Sequence, residues 1–503
     1  MTQKSYWRLL ACILVLYLFL AGALTYTKRP WADEAWFANI SVNILEHGKT
    51  GISVLDPLGN ANMLGRAFPE IDKEYYIWIP VQEAFYALCY KFTGFSVFSM
   101  RGVSMLWGLC ALASWFAIAL KLTDSMPAAV LTVFLVATDF AFLDAASDGR
   151  MDIMCAGLSY AGLASYLMLR ERYFQRAILV SQALCVVAGL THPMGAIGFI
   201  TLQFLTIYMD HSRIGWRHVG LALSVYLAGA VVIAAYILPN FTLFKAQLGG
   251  ALTNRLGVVH STGSTFVREL TEKYWSFYLP PYATGIAKLR VFIPLIYGLG
   301  ALGALSLSSV RASRRTMLGM AGVALLAMAF LESAKLYYYL VHSTPYLAAL
   351  LALWVSSVWT SRNLWLRGIA GAAVAILVAL QIGWVFMTVR KDPYHKSFLP
   401  MTAFVRERIE HRPSDHFLVM SSAELGFVTG FNRILSDDAL LGYQSGHKAD
   451  LIIMDERSYD SQFKGFRLSR PEVADFMRAL LDRSDLIYNN GYYRVYSTEK
   501  KGF

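Results

Sequence analysis

Apolar runs long enough to cross a bilayer recur from residue 9 to residue 388 of this chain, and they leave few options for its fold. In hydrocarbon every backbone N–H and C=O must be satisfied within the protein. Helices and closed barrels meet that demand, and a spanning helix takes about 20 mainly apolar residues. The runs lie near 9–26, 99–120, 126–143, 152–169, 177–191, 194–209, 219–238, 291–308, 316–331, 341–359 and 368–388. They predict about eleven transmembrane helices. Composition agrees: 16% of the 503 residues are charged, against about 25% in soluble domains. The run Leu9–Leu24 carries Ala21-Gly22-Ala23, small residues of the kind found at signal cleavage sites. It is longer than a usual signal core and many spans follow, so it reads as a retained first helix.

The net charge is +11, but its distribution excludes a nucleic-acid face. The basic residues cluster in short loops between apolar runs: Arg170, Arg172 and Arg176; Arg213 and Arg217; Arg311, Arg314 and Arg315; Arg362 and Arg367. This is the positive-inside pattern. Arg176 and Arg217 on one side require an even number of crossings between them, which makes Thr191-His192-Pro193 a tight outer turn. The same parity between Arg315 and Arg362 places the break Glu332–Lys335 outside. With Lys4 and Arg8 inside, the outer segments are 27–98, 144–151, 240–290 and the tail from about residue 390.

The tail changes character. Met401–His411 and Pro471–Leu481 read as amphipathic helices, and His416–Met420, Leu451–Met454 and Tyr492–Tyr496 as short strands. The expected organisation is therefore a transmembrane domain over 1–390 and a small extracytoplasmic α/β domain over 391–503. The five cysteines show no CxxC or Cys/His spacing and read as free thiols.

Four outer positions carry chemistry. Asp33-Glu34 follows the first span between Trp31 and Trp36, at the membrane interface, where a partly desolvated carboxylate gains the basicity to take a hydroxyl proton. The bland reading is a pair of acids favouring a helix start. The turn Asp144–Asp152 holds three acids and Arg150, with Asp152 entering the next span; ionisable groups at that depth usually face a cavity or a partner. The bland reading there is a surface ion pair. His192 and the group Lys335, Tyr337, Tyr338, Tyr339 and His342 occupy the other two turns. Interface tyrosines and a snorkelling lysine are their ordinary explanation. All four positions fall on one side of the membrane.

Together these motifs resemble the polyprenyl-phosphate-sugar-dependent glycosyltransferases of the GT-C fold. The closest branch is family 39-like, with the protein O-mannosyltransferases and the lipid A aminoarabinose transferases. The resemblance rests on Asp33-Glu34, Tyr75-Tyr76…Pro80 leading to Gly94…Arg101, Gly149-Arg150-Met151-Asp152, and Tyr338-Tyr339…Pro345. The Glu-Lys-Pro-Pro element of the aminoarabinose branch is not recognisable around Lys73–Pro80.

The resemblance implies Asp33 as catalytic base, Glu34 as a supporting carboxylate and Asp152 as a second acidic site residue. Arg150, Lys335, Tyr338 and His342 would lie near the donor phosphate, with His192 and Tyr76 in the same donor-binding set. The implied reaction is a single inverting displacement. A hydroxyl of a lipid, glycan or protein acceptor, deprotonated by Asp33, attacks the anomeric carbon while polyprenyl phosphate leaves. That phosphate has a second pKa of about 6 and needs charge stabilisation more than protonation. Carboxylates at Asp33 and Asp152 suit Mg²⁺ or Mn²⁺, and the sequence leaves metal use open. A transporter or flippase of a lipid-linked glycan is the alternative, since intramembrane charges mark substrate paths too. Such proteins often carry repeated halves with matching broken helices, and no repeat is visible here. A non-catalytic assembly subunit would leave Asp33 dispensable.

Overall fold

The computed structural model describes residues 2–56, 68–256, 262–280, 283–306, 312–411, 417–437, 440–456, 464–465 and 467–498. Each expected span falls on a helix: Gln3–Thr27, Val97–Thr123, Met126–Thr138 continued by Phe140–Ala146, Asp152–Leu169, Phe174–Thr191, Gly195–Asp210, Trp216–Ile237, Phe292–Ser306, Ala312–Leu331, Thr344–Trp359 and Leu364–Lys391. Among the described residues, eight helices are long and apolar enough to cross a bilayer, and a broken pair makes nine. Gly195–Asp210 and Thr344–Trp359, at 16 residues each, are shorter. The chain is an integral membrane protein. Helix Trp216–Ile237 buries only Gly229 and turns Leu223, Leu227 and Val231 outward, as a lipid-facing helix must.

Two compact units interleave along the chain. One comprises Met1–Thr25, Arg101–Tyr236 and Val258–Arg390; the other comprises Tyr26–Met100, Ile237–Gly257 and Lys391–Phe503.

In the first unit, helices Asp152–Leu169, Phe174–Thr191 and Gly195–Asp210 pack on one another, and Thr344–Trp359 packs against Met126–Thr138 and Phe292–Ser306. The turn at His192-Pro193 is as tight as parity demands. A Cβ on Gly195 would stand 2.5 Å from the Gly189 nitrogen, so glycine is required there. At the opposite end Asp210 receives both Arg170 (2.6 Å) and Arg213 (3.1 Å). The ends of two basic clusters therefore meet on one side, as the even number of crossings required.

The expected single span over 126–143 is broken instead. Its halves meet at 65° around Asp139, whose Oδ1 accepts the Phe142 N–H at 2.9 Å and so caps the second half. Asp139 Oδ2 accepts from Tyr297 Oη (2.8 Å) and Gln381 Nε2 (2.7 Å). Gln381 Oε1 in turn accepts the Phe140 N–H at 2.9 Å. A break in a membrane helix frees backbone groups, and these side chains satisfy them.

In the second unit, helix Ala32–His47 packs against Val81–Thr93. Asn43 Nδ2 donates to the Gly51 carbonyl at 2.7 Å and Asn39 Nδ2 to Ser53 Oγ at 3.1 Å, which ties the following loop to the first helix. The tail forms a mixed five-stranded sheet: β1 Val419–Met420, β2 Ile434–Leu435, β3 Leu451–Asp455, β4 Asp485–Asn489 and β5 Tyr493–Ser497, in the order β2-β1-β3-β5-β4. β1 runs parallel to β2 and β3, and β5 runs antiparallel to β3 and β4. Helix Pro471–Asp482 covers the sheet, burying Val473, Ala474 and Met477 against Met420, Ile452 and Met454. The expected first strand begins at His416, which lies outside the described residues, and β2 and β4 were not anticipated. The segment 26–100 is joined to this domain by the Arg29–Asp455 ion pair, by Arg29 donating to Tyr493 Oη at 3.0 Å, and by the Ser436 N–H donating to the Val54 carbonyl at 2.7 Å.

Candidate functional site

The first unit gathers most of the expected side chains. After the broken span, helix Phe140–Ala146 ends and the chain turns through Ser147–Met151 before Asp152 opens the next helix. Arg150 folds back on that helix start: its Nε lies 2.9 Å from Asp152 Oδ2, with the side chains 7% and 1% exposed. The guanidinium also lies over the Tyr338 ring, 3.8 Å from its centroid. A guanidinium can bridge in this way, stacking on one face while its edge holds a carboxylate.

His192 and His342 belong to the same neighbourhood. Both are buried. The His192 ring stands 5.4 Å from that of Tyr339, and its Nδ1 accepts the Met194 N–H at 3.1 Å. His342 lies within electrostatic range of Asp152, His192 and Lys273. Among the described residues, neither Asp152 Oδ1 nor His342 Nε2 has a hydrogen-bond partner. Buried polar atoms are usually paired, and these two are among the described buried atoms that are not.

Lys335 is buried as well, but in its own network. Its ammonium reaches Glu269 Oε2 at 2.8 Å and donates to the Ala329 carbonyl at 2.6 Å. Lys273 reaches Glu269 Oε1 at 2.9 Å and Glu332 Oε2 at 3.2 Å. Lys335 does not snorkel to headgroups, and its φ of +56° is a left-handed conformation that costs about 1–2 kcal/mol outside glycine. Glu269 and Lys273 were not singled out from the sequence. Both lie in the segment 240–290, expected as an outer loop, where the chain instead forms a π-helical turn, Glu269–Trp275.

Asp33, Glu34 and Tyr76 belong to the second unit. Asp33 and Glu34 occupy the first turn of helix Ala32–His47. Glu34, 1% exposed, accepts the Trp31 N–H on Oε2 at 2.9 Å. It therefore performs the capping task of the bland reading. Asp33 is half-buried in the turn that Glu34 closes. Tyr76 is pinned through its backbone N–H, which donates to Gln247 Oε1 at 2.7 Å. A further acid appears on helix Val81–Thr93. Glu83 is 1% exposed, its Oε1 has no hydrogen-bond partner among the described residues, and burial pushes its pKa up to about 8. The helix brings Glu83 and Tyr90 onto one buried face, and Tyr90 lies within electrostatic range of Glu34. Among the described residues no three His, Cys, Asp or Glu side chains assemble as a metal ion needs, and one oxygen of Asp152 already faces a guanidinium.

No family model and no curated protein matches this chain. Solved structures do match its shape. ArnT from Cupriavidus metallidurans, bound to undecaprenyl phosphate, superposes with a TM-score of 0.57 at 16% identity, over 100% of this chain and 99% of its own. The archaeal oligosaccharyltransferase AglB from Archaeoglobus fulgidus, in complex with an inhibitory peptide and a dolichol-phosphate, gives 0.57 at 12% identity, over 99% and 75%. The same archaeal enzyme with Zn and sulfate gives 0.55 at 12% identity, over 90% and 69%. The fold is thus GT-C, as the sequence motifs implied.

Proposed function

We propose that this protein is a membrane glycosyltransferase that moves a sugar from a polyprenyl-phosphate donor to a hydroxyl or phosphate acceptor on the outer side of the membrane, with inversion. What supports this reading is a fold shared, over essentially the whole of this chain, with two transferases whose structures hold undecaprenyl phosphate or a dolichol-phosphate. The acceptor is a lipid, a glycan or a protein; AglB has also been solved tethered to an acceptor peptide.

The roles follow from charge. Asp33, beside the capping Glu34, takes the acceptor proton as the hydroxyl attacks the anomeric carbon. The bond to the phosphate oxygen breaks as the new bond forms, and the polyprenyl phosphate departs with its electron pair. Arg150, Lys335 and His342 stabilise the anionic phosphate, with Tyr338, His192 and Tyr76 shaping the donor site. Asp152 fixes the Arg150 guanidinium. The test is reconstitution in liposomes with radiolabelled polyprenyl-phosphate sugars and nucleotide sugars side by side. Transfer is expected from the lipid-linked donor alone and should fall on Lys335→Ala. Transfer from a nucleotide sugar with all polyprenyl carriers removed overturns the proposal.

A further inference from the structure

Glu269, Lys273, Glu332 and Lys335 are all buried. They join the segment 262–278 to the break after Leu331. The Glu269 carboxylate faces two ammonium groups: Lys335 donates to Oε2 at 2.8 Å, and Lys273 stands 2.9 Å from Oε1 as an ion pair without hydrogen-bond geometry. Glu332 faces Lys273 at 3.2 Å and also accepts the Leu336 N–H at 3.1 Å. An apolar set of the same volume is often at least as stable as a buried ion-pair network, so stability alone is a weak reason for this one. Two features set the place apart from an ordinary staple. Lys335 is held at φ +56°, and Glu269 opens a π-helical stretch, Glu269–Trp275, a geometry frequent at functional sites.

We propose that Glu269 is an internal stand-in for phosphate. Lys273 and Lys335 form a two-ammonium site for the phosphoryl oxygens of a membrane-anchored phosphate monoester, and Glu269 occupies that site until such a ligand displaces it. This rests on the reaction proposed above, whose leaving group is a polyprenyl phosphate monoester; the intact donor is a diester with a single negative charge. The network is electrically neutral, two lysines against two glutamates; without Glu269 it carries one net positive charge, which suits an anion. A phosphate monoester brings a charge of about −1.5 to −2 and three acceptor oxygens, so it outcompetes one carboxylate for two ammonium groups. Lysine ammoniums rotate freely and re-aim at a new anion without the planar match that arginine needs. The π-helical turn carrying Glu269 is the element that moves when the exchange occurs. A pure staple behaves oppositely: loosening it lowers affinity for everything bound nearby.

The experiment measures binding of farnesyl phosphate, with farnesol as the uncharged control, to the full-length protein in detergent. Glu269→Gln should bind farnesyl phosphate about fivefold tighter or more, a modest coupling, while farnesol binding stays unchanged. Adding Lys273→Gln or Lys335→Gln to that variant should reverse the gain. In the wild-type protein, farnesyl phosphate should raise amide hydrogen exchange over Glu269–Trp275 and farnesol should not; this arm stands even if the variant fails to fold. Equal or weaker phosphate binding by a folded Glu269→Gln protein, or unchanged exchange in wild type, overturns the stand-in role alone. No preference for the phosphate over the alcohol in either protein overturns the donor class together with it.

Discussion

Arg150 and Asp152, two positions apart at the mouth of a membrane helix, face each other across 2.9 Å with almost no solvent exposure. Removing one member leaves the other charged, buried and uncompensated, which typically costs 3–5 kcal/mol. In the proposed reaction the two act as one unit. Arg150→Ala and Asp152→Asn should each lower kcat/KM by about 100-fold or more, and the double variant should be little worse than the poorer single one. Steady-state kinetics on the three proteins decides; additive losses would return the pair to a structural role.

In the proposed reaction Asp33 and Glu34, though neighbours, have different tasks. Asp33→Asn should abolish transfer, a loss of about 10²–10⁴-fold for a general base, with expression and insertion intact. Glu34→Gln keeps an oxygen for the Trp31 N–H and should retain most activity. Glu34→Ala should cost about 1 kcal/mol through the lost cap. Turnover and melting temperature, measured together, separate the two residues.

Glu83 predicts a pH dependence of stability. Its folded pKa of about 8 lies above the reference value of 4.5, so the folded protein keeps a proton that the unfolded chain releases. The contribution is fully present below about pH 4.5 and is lost as pH rises through about 8. The wild-type melting temperature should therefore fall between pH 6 and 9. Glu83→Gln, which mimics the protonated acid, should flatten that slope. An unchanged slope in the variant would assign the pH dependence to other groups.

Asp139 should be indispensable to the broken span. Asp139→Ala removes the cap of helix Phe140–Ala146 and strands Tyr297 and Gln381. A loss of about 2–4 kcal/mol follows from the unpaired buried groups, with reduced transfer because that helix leads to Arg150. A melting temperature within a degree of wild type would contradict this.

The tail is predicted to face outward, and Leu468, 89% exposed, offers a place to test it. In a cysteine-free background, Leu468→Cys should react with a membrane-impermeant thiol reagent in intact spheroplasts. Reaction only after lysis would reverse the topology.

The local sequence was enough to place the apolar helices and the turns between them. Lipid as solvent selects on the length and apolarity of contiguous residues, and proline and glycine at His192-Pro193 and Gly195 end helices by local sterics. It also flagged Arg150 with Asp152, because charges beside an apolar run stand out. Asp139 was not singled out inside the run 126–143, because its role required Tyr297 and Gln381, which lie on helices far away in sequence. Only tertiary structure paired Lys335 with Glu269, 66 positions away. The same holds for Arg29 with Asp455, 426 positions away. Charge pairing in a folded protein depends on which surfaces meet after the helices pack. No periodicity along the chain encodes that meeting, whereas the hydrophobic length of a span is written in consecutive residues.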